Sequence, residues 1–522
     1  MNKKTLLLAM TLGGLLSQGP AQAGEREDLE ALRATTLAIV DALVDKGILT
    51  KEAAQELVKQ AEKKGQEQAA QMAKAEGEAG VVRVTYIPEP VKRELREQLR
   101  QEMVAQAKNE RWGDVNAVPE WLDRIKWEGD FRLRYQHDGF DDGNATPFAL
   151  DNILTSPGTT GAGIDNTTEA RDRMRVRARL GMLAKVSSSV SAGFRIATGN
   201  TGDPVSTNQT LGNHNNKYSL VLDRAYGVAD PWEWLSVSGG RIPNPFFSTD
   251  LVWDDDLNFD GLAATFKPWS RANVSAKPFL TLGAFPLQEV ESAPTNLASD
   301  KWLYAAQLGV DWRVSSFSRW RVGLAYYDYR NLAGVRDSVT DGVYLYGDSA
   351  TGARQKGNTV FELAPADSPG LYGLASDYRL VNLTAMADLG HFDPLHVILS
   401  ADVVKNIGYD EARVAAMLGS ATYERKDLGW QAKLTLGHPA MDLPGNWQIF
   451  AGYRYLERDA VLDAFTDSDF HLGGTDSQGY FIGGMYALDR NSWMGLKWLS
   501  ANEIDGLPFA IDVLQLDFNA KF

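Results

Sequence analysis

Residues 170–186 read ARDRMRVRARLGMLAKV. Arg171, Arg173, Arg175, Arg177 and Arg179 hold every second position, and Met174, Val176, Ala178 and Leu180 fill the places between. A period of two sends successive side chains to opposite faces of an extended strand. The segment therefore predicts a β-strand with one cationic face and one oily face. A packed protein interior does not tolerate such a charged face unpaired. A strand between lipid and a water-filled lumen does.

The same texture recurs after Pro119. Trp127, Gly129, Phe131, Leu133 and Tyr135 alternate with Lys126, Glu128, Asp130, Arg132 and Arg134. Residues 302–314, 395–403 and 428–436 alternate in the same way. Sixteen candidate strands begin near residues 126, 173, 189, 219, 234, 259, 273, 302, 319, 378, 394, 427, 446, 479, 492 and 512. The segments 219–229 and 492–500 show no assignable phase. Short connections (187–189, 230–233, 268–272, 315–318, 390–393, 438–445, 489–491) take turns with long ones (137–170, 199–217, 242–257, 286–301, 330–377, 405–426, 458–478, 500–511). Short turns at one rim and long loops at the other are what an even-stranded membrane barrel requires. The predicted fold class is an all-β, antiparallel transmembrane barrel of about 16 strands, in a range of 16–18.

A soluble sandwich or β-solenoid would also alternate. Against it, aromatics stand near the ends of the apolar faces, as with Trp127 and Tyr135, Trp302 and Trp312, and Trp447 and Tyr455. That spacing suits two interfacial girdles. The chain stops on an amphipathic segment whose Leu514, Leu516, Phe518, Ala520 and Phe522 share one face. A last strand ending in Phe resembles the assembly signal of bacterial outer-membrane barrels, with Phe518 and Phe522 as its key positions and the barrel-assembly machinery as its reader.

The 522-residue chain has a formal net charge of −15 and no cysteine. Disulfides and thiolate metal sites are thereby excluded, and the acidic balance argues against nucleic acid as a partner. Lys3 and Lys4, the apolar stretch Leu6–Leu16 and Ala21-Gln22-Ala23 predict a signal peptide over 1–23. Residues 24–118 read as a helical, coiled-coil-like region, with Leu29, Leu32, Thr36, Ile39 and Leu43 in a stripe and a linker near 77–90. An oligomerising or periplasmic-contact role and a solvated helical hairpin both fit that stripe. Past the leader no run of about 18 apolar residues occurs, so a spanning helix is excluded. The barrel occupies 119–522.

Several stretches together resemble the bacterial family called putative porins. They are the leader and helical front, Tyr86-Ile87-Pro88 with the charged helix after it, Val118-Pro119-Glu120-Trp121-Leu122-Asp123-Arg124-Ile125, Gly129-Asp130-Phe131-Arg132-Leu133-Arg134-Tyr135 and the arginine strand. Leu222-Asp223-Arg224-Ala225-Tyr226, Gly240-Arg241-Ile242-Pro243-Asn244-Pro245-Phe246 and Asp260-Gly261-Leu262 match general porin texture. The resemblance implies an outer-membrane barrel of a Gram-negative bacterium, with its helical extension in the periplasm. It implies contact with outer-membrane lipid and lipopolysaccharide, and passive diffusion of small solutes. Trimers are common among porins at large, which makes a homotrimer the implied assembly.

About sixteen strands leave a water-filled lumen. Arg171 to Arg179 run roughly 26 Å along the strand at about 3.3 Å per residue. Arg132 and Arg134 on the first strand and Arg195 on the third extend this into a luminal strip, expected to favour anions. The opposing expectation is charge pairing, since Glu128 and Asp130 share the wall. Asp250, Asp254, Asp255, Asp256 and Asp260 are candidate constriction acids. They could face the arginines, hold Ca²⁺ as hard oxygen ligands do, or line a solvated loop. Loops 137–170 and 330–377 are long enough to fold inward. The rival functions are a structural tether acting through residues 25–111 and, less favoured, a barrel hydrolase. No G-x-S-x-G turn supports the latter, and no catalytic residue is assigned.

Overall fold

The computed structural model describes residues 124–146, 166–270, 273–336, 355–363, 372–419 and 423–522. The leader, the helical stripe and the linker near 77–90 lie outside the described residues. One seventeen-stranded sheet closes on itself, and without the two-residue strand Gln209–Thr210 it is a sixteen-stranded antiparallel barrel. The strands are β1 Ile125–Phe140, β2 Arg171–Lys185, β3 Val190–Thr198, β4 Leu220–Trp232, β5 Leu235–Pro243, β6 Asn258–Phe266, β7 Ala276–Gln288 and β8 Lys301–Ser315. There follow β9 Ser318–Arg330, β10 Arg379–Phe392, β11 Leu395–Asn406, β12 Leu428–Gly437, β13 Trp447–Leu456, β14 Ser477–Asp489, β15 Ser492–Asn502 and β16 Ile511–Lys521.

The seam joins β16 to β1, from Asp130 opposite Lys521 to Phe140 opposite Ile511. Gly129 and Phe522 exchange two backbone hydrogen bonds of 2.9 Å just beyond it. The Phe522 ring covers Gly129 so closely that a Cβ there would lie 2.4 Å from it, so the position favours glycine. Closure removes every edge strand, which lets a sheet stand in lipid without orphaned backbone groups.

The apolar faces point outward. Phe131, Met174, Leu180, Phe194, Leu308, Leu324, Leu399, Leu434 and Leu516 are among the exposed large hydrophobics. Trp127, Trp312, Trp320, Trp447 and Tyr486 stand toward the short-turn rim, and Tyr135, Tyr304, Tyr326, Tyr453 and Tyr480 toward the long-loop rim. These are the two girdles expected from sequence.

The unphased segments have physical explanations. In β4, Leu220 and Leu222 are exposed, but so are Ala225 and Gly227, of the opposite parity. The pairing with β3 skips Asp223 between Leu222 and Arg224. A bulge of this kind inverts the faces of everything beyond it. In β15, inward Leu499 and Ala501 pack with Phe470 of the loop between β13 and β14, so the inner face is apolar near that rim.

Fourteen-residue loop 244–257 enters the barrel. Its Phe246, Leu251, Val252, Trp253 and Leu257 are buried against inward side chains of β5–β11, including Ile242, Phe259, Phe285, Leu303 and Tyr327. Trp253 meets Tyr327 edge-on at 5.0 Å and Phe259 at 4.9 Å, a favoured aromatic geometry. Among the described residues, Leu332 and Leu374 of loop 330–377 and Val461 and Leu462 of loop 457–476 join the same core.

Candidate functional site

The arginine rows of β1 and β2 lie side by side: Arg132 opposite Arg177, and Arg134 opposite Arg175. Like charges directly opposite destabilise a sheet, so their partners decide the wall's energetics. Arg134 forks onto Asp517 of β16 at 2.7 and 2.9 Å and reaches Asp469 at 2.8 Å. Arg173 pairs with Asp138. Arg177 and Arg179 share Asp130 at 3.0 and 2.7 Å. Arg195 pairs with Asp223 on the neighbouring β4. Arg132 and Arg175 differ: they donate to the neutral amides of Asn208 and Gln136, respectively. Arg171 is exposed at the long-loop end of β2.

The acids of residues 250–260 separate into distinct roles. Asp256 accepts from Arg179 at 2.7 Å and from the Thr207 hydroxyl at 2.9 Å, with Arg177 at 3.6 Å. Burial opposes its ionisation, but these arginines outweigh burial and hold the carboxyl below its usual range. Asp250 crosses to the opposite wall, 3.0 Å from Arg454 of β13 and 2.7 Å from Gln431 of β12. Burial is again overcome, chiefly by Arg454, and the carboxyl is held at about 2. Asp254 has no cationic partner among the described residues; it accepts from the backbone N–H groups of Asp256 and Ser468. Burial, with Asp467 and Asp256 nearby, pushes it well above the carboxylate range. Asp255 is exposed to the lumen and makes no hydrogen bond or ion pair among the described residues. The enclosing protein, then the negative Asp250, Asp467 and Asp256, push it up to about 6. Asp260 stays on β6, 3.0 Å from Arg241, away from the constriction.

This corrects two expectations. Asp260 is not a constriction acid, because β6 holds it in the wall. The five carboxylates do not converge as Ca²⁺ ligands; four are dispersed onto arginines, a hydroxyl and amides, and Asp255 stands alone among the described residues. Among the described residues no group of three His, Asp or Glu side chains is placed to hold a metal.

Several lumen groups escaped sequence reading. Arg454 is 2% exposed and bridges Asp250 and Asp467, each at 3.0 Å. It thereby ties loop 244–257 and loop 457–476 to β13. Asp402 of β11 accepts from the Thr249 hydroxyl at 2.8 Å and clamps the loop further. Asp467 and Asp469 come from a loop rather than a strand, so strand periodicity carried no signal for them. Lys433 and Lys497 face the remaining space without an ion pair among the described residues. That space is a cavity of about 520 Å³. Arg132, Arg134 and Arg177 line one side, and Asp250, Asp254 and Asp255 project from the loop. Such an arrangement can pass hydrated solutes between opposed charges and orient dipolar ones.

The sequence model of a family described as "Putative porin" matches residues 33–522. No curated protein matches the chain. Among solved structures, OprB of Pseudomonas putida aligns at 12% identity over 77% of this chain and 96% of its own, with a TM-score of 0.44. The outer-membrane channel DcaP of Acinetobacter baumannii aligns at 12% identity over 76% and 97%, with a TM-score of 0.38. OmpF of Salmonella typhi, solved in complex with daunomycin, aligns at 8% identity over 76% and 97%, with a TM-score of 0.40.

Proposed function

The chain belongs to the putative porin family, and we propose that its barrel conducts small hydrophilic solutes and ions by passive diffusion, with a mild preference for anions. Family and barrel fold together support an outer-membrane channel. The observation carrying the finer reading is the unmatched charge around the lumen. Arg132, Arg175, Lys433 and Lys497 have no carboxylate partner among the described residues, while Asp255 is the bare acid opposite them. Every other member of the arginine strip except Arg171 is paired. The strip therefore biases the lumen weakly instead of selecting one anion.

Planar-bilayer recording across a salt gradient tests this reading. Stepwise conductance with a reversal potential on the anion side is expected. A potential at zero or on the cation side overturns the preference, and absence of conductance overturns the channel.

In this reading the long loops lie outside the cell and residues 24–118 lie in the periplasm. The barrel contacts lipid and lipopolysaccharide, assembles as a homotrimer, and is recognised by the assembly machinery through Phe518 and Phe522. Deleting residues 25–111 tests the tether alternative: unchanged conductance with a weakened envelope would favour it.

A further inference from the structure

A second cavity, of about 390 Å³, lies among the long loops away from the arginine strip. Its polar lining includes Lys356, Arg458, His471, Asp476 and Glu503. The basic groups are engaged, apart from Arg458 Nε, which has no hydrogen-bond partner among the described residues. Lys356, 5% exposed, donates to the Gly473 carbonyl at 2.7 Å and to His471 Nδ1 at 2.9 Å. His471 Nε2 donates to the Phe509 carbonyl at 2.7 Å, which leaves Nδ1 as the acceptor. Arg458 donates to the Tyr423 hydroxyl and to Asp505.

Two of the acidic groups, Asp476 and Glu503, each keep an oxygen without a partner among the described residues. Asp476 is 5% exposed, and among the described residues its Oδ1 has no hydrogen-bond partner; Glu503 Oε1 is likewise buried and unpartnered. Nearby Asp459 shows how this chain normally closes a buried carboxylate. It accepts from the Thr359 N–H at 2.9 Å, the Thr359 hydroxyl at 2.6 Å and the Tyr378 hydroxyl at 2.8 Å. A desolvated acceptor left open is costly, and a donor that fills it recovers that cost. Asp476, Glu503 and Asp505 outnumber Lys356 and Arg458 in the lining, so the vacant acceptors favour a cation with several N–H groups.

We propose that this cavity binds a small primary-amine compound, whose ammonium group donates to Asp476 Oδ1 and Glu503 Oε1. The site is independent of the channel reading, because none of these residues lines the lumen cavity. Burial, opposed by Arg458 and Lys356, leaves the Asp476 carboxyl raised to about 6, so it is ionised and ready to accept at neutral pH.

Calorimetric titration of the full chain in detergent at pH 7.5 with n-butylamine tests the site, with butyltrimethylammonium and butyrate as comparison probes. Saturable butylamine binding is expected, at least tenfold tighter than either comparison probe. Asp476→Asn and Glu503→Gln should each weaken it at least tenfold while leaving single-channel conductance unchanged. Glu503 is only partly buried, so its variant keeps the test open if Asp476→Asn does not fold. Absence of saturable butylamine binding, equal binding of the trimethylated probe, tighter binding of butyrate, or unweakened binding by Glu503→Gln would each overturn the proposal.

Discussion

Two walls of one barrel solve the problem of an interior in opposite ways. From β5 to β9 the inward side chains are largely apolar and bury themselves against Phe246, Leu251 and Trp253 of the constriction loop. From β1 to β3, and again from β12 to β16, the inward face carries arginines, lysines and carboxylates beside open space. The apolar wall fixes where the loop sits, by area removed from water, which needs no directional partner. The charged wall fixes where the loop stops, through Arg179–Asp256 on one side and Arg454–Asp250 on the other. Hydrophobic anchoring supplies the energy, and ion pairing supplies the register. A loop with only the first would collapse onto the wall, and one with only the second would hang in solvent.

The largest expected effect lies on the apolar wall. Trp253→Ala empties a fully buried aromatic site, a change that costs about 3–5 kcal/mol. A lowered thermal midpoint together with a larger single-channel conductance would show that this core holds the constriction. Unchanged conductance would dissolve the comparison. Next is Arg454→Met, which leaves buried Asp467 and part-buried Asp250 without their shared cation. Breaking a buried pair in this way costs about 3 kcal/mol or more. Frequent conductance fluctuations, with the mean conductance raised less than in Trp253→Ala, are expected in bilayer records.

A smaller effect concerns selectivity. Arg132→Glu with Arg175→Glu reverses two strip charges that lack carboxylate partners, leaving Arg171 at the rim. Each contact is worth about 1 kcal/mol in water, so the anion-to-cation permeability ratio should fall about fivefold or more by reversal potential. Arg173→Gln, which removes a paired charge, should shift the ratio less; a larger shift there would refute the reading that pairing neutralises the strip.

The smallest effect is one of pH. Asp255 is raised to about 6, so it is charged at pH 8 and neutral at pH 5. Its folded value lies above the ordinary one, so the acid form is the one favoured in the barrel, and acidification removes a negative charge from the lumen. The reversal potential should move toward anions as pH falls through about 6, and Asp255→Asn should abolish that movement. A pH response that survives the substitution would assign it to another group.

Period-two alternation located the strands because lipid imposes it: each outward side chain must be apolar, so Leu514, Leu516 and Phe522 could be assigned a face from spacing alone. The arginine strip was legible for the same reason, as was the chance that Asp130 neutralises part of it. Where the inner face meets a loop instead of water, the alternation fades. Leu499 and Ala501 are apolar inside for that reason, and the bulge at Asp223 erased the phase of β4 altogether. Asp467 and Asp469 escaped because a loop that enters a barrel carries no period, and Arg454 of β13 because its loop partners were not legible; such partners lie far away in the chain: Arg134 and Asp469 are separated by 335 positions.

By itself, then, the amino-acid order determined an all-β barrel with short turns at one rim, long loops at the other, and a basic row along the lumen. These are local consequences of side-chain alternation in a strand bounded by lipid and water. Only the tertiary structure decided that loops 244–257 and 457–476 meet inside the barrel, which arginines are neutralised and which carboxylates remain bare. Those outcomes depend on contacts between residues hundreds of positions apart, made once the ring of strands has closed and brought opposite walls within reach of one side chain.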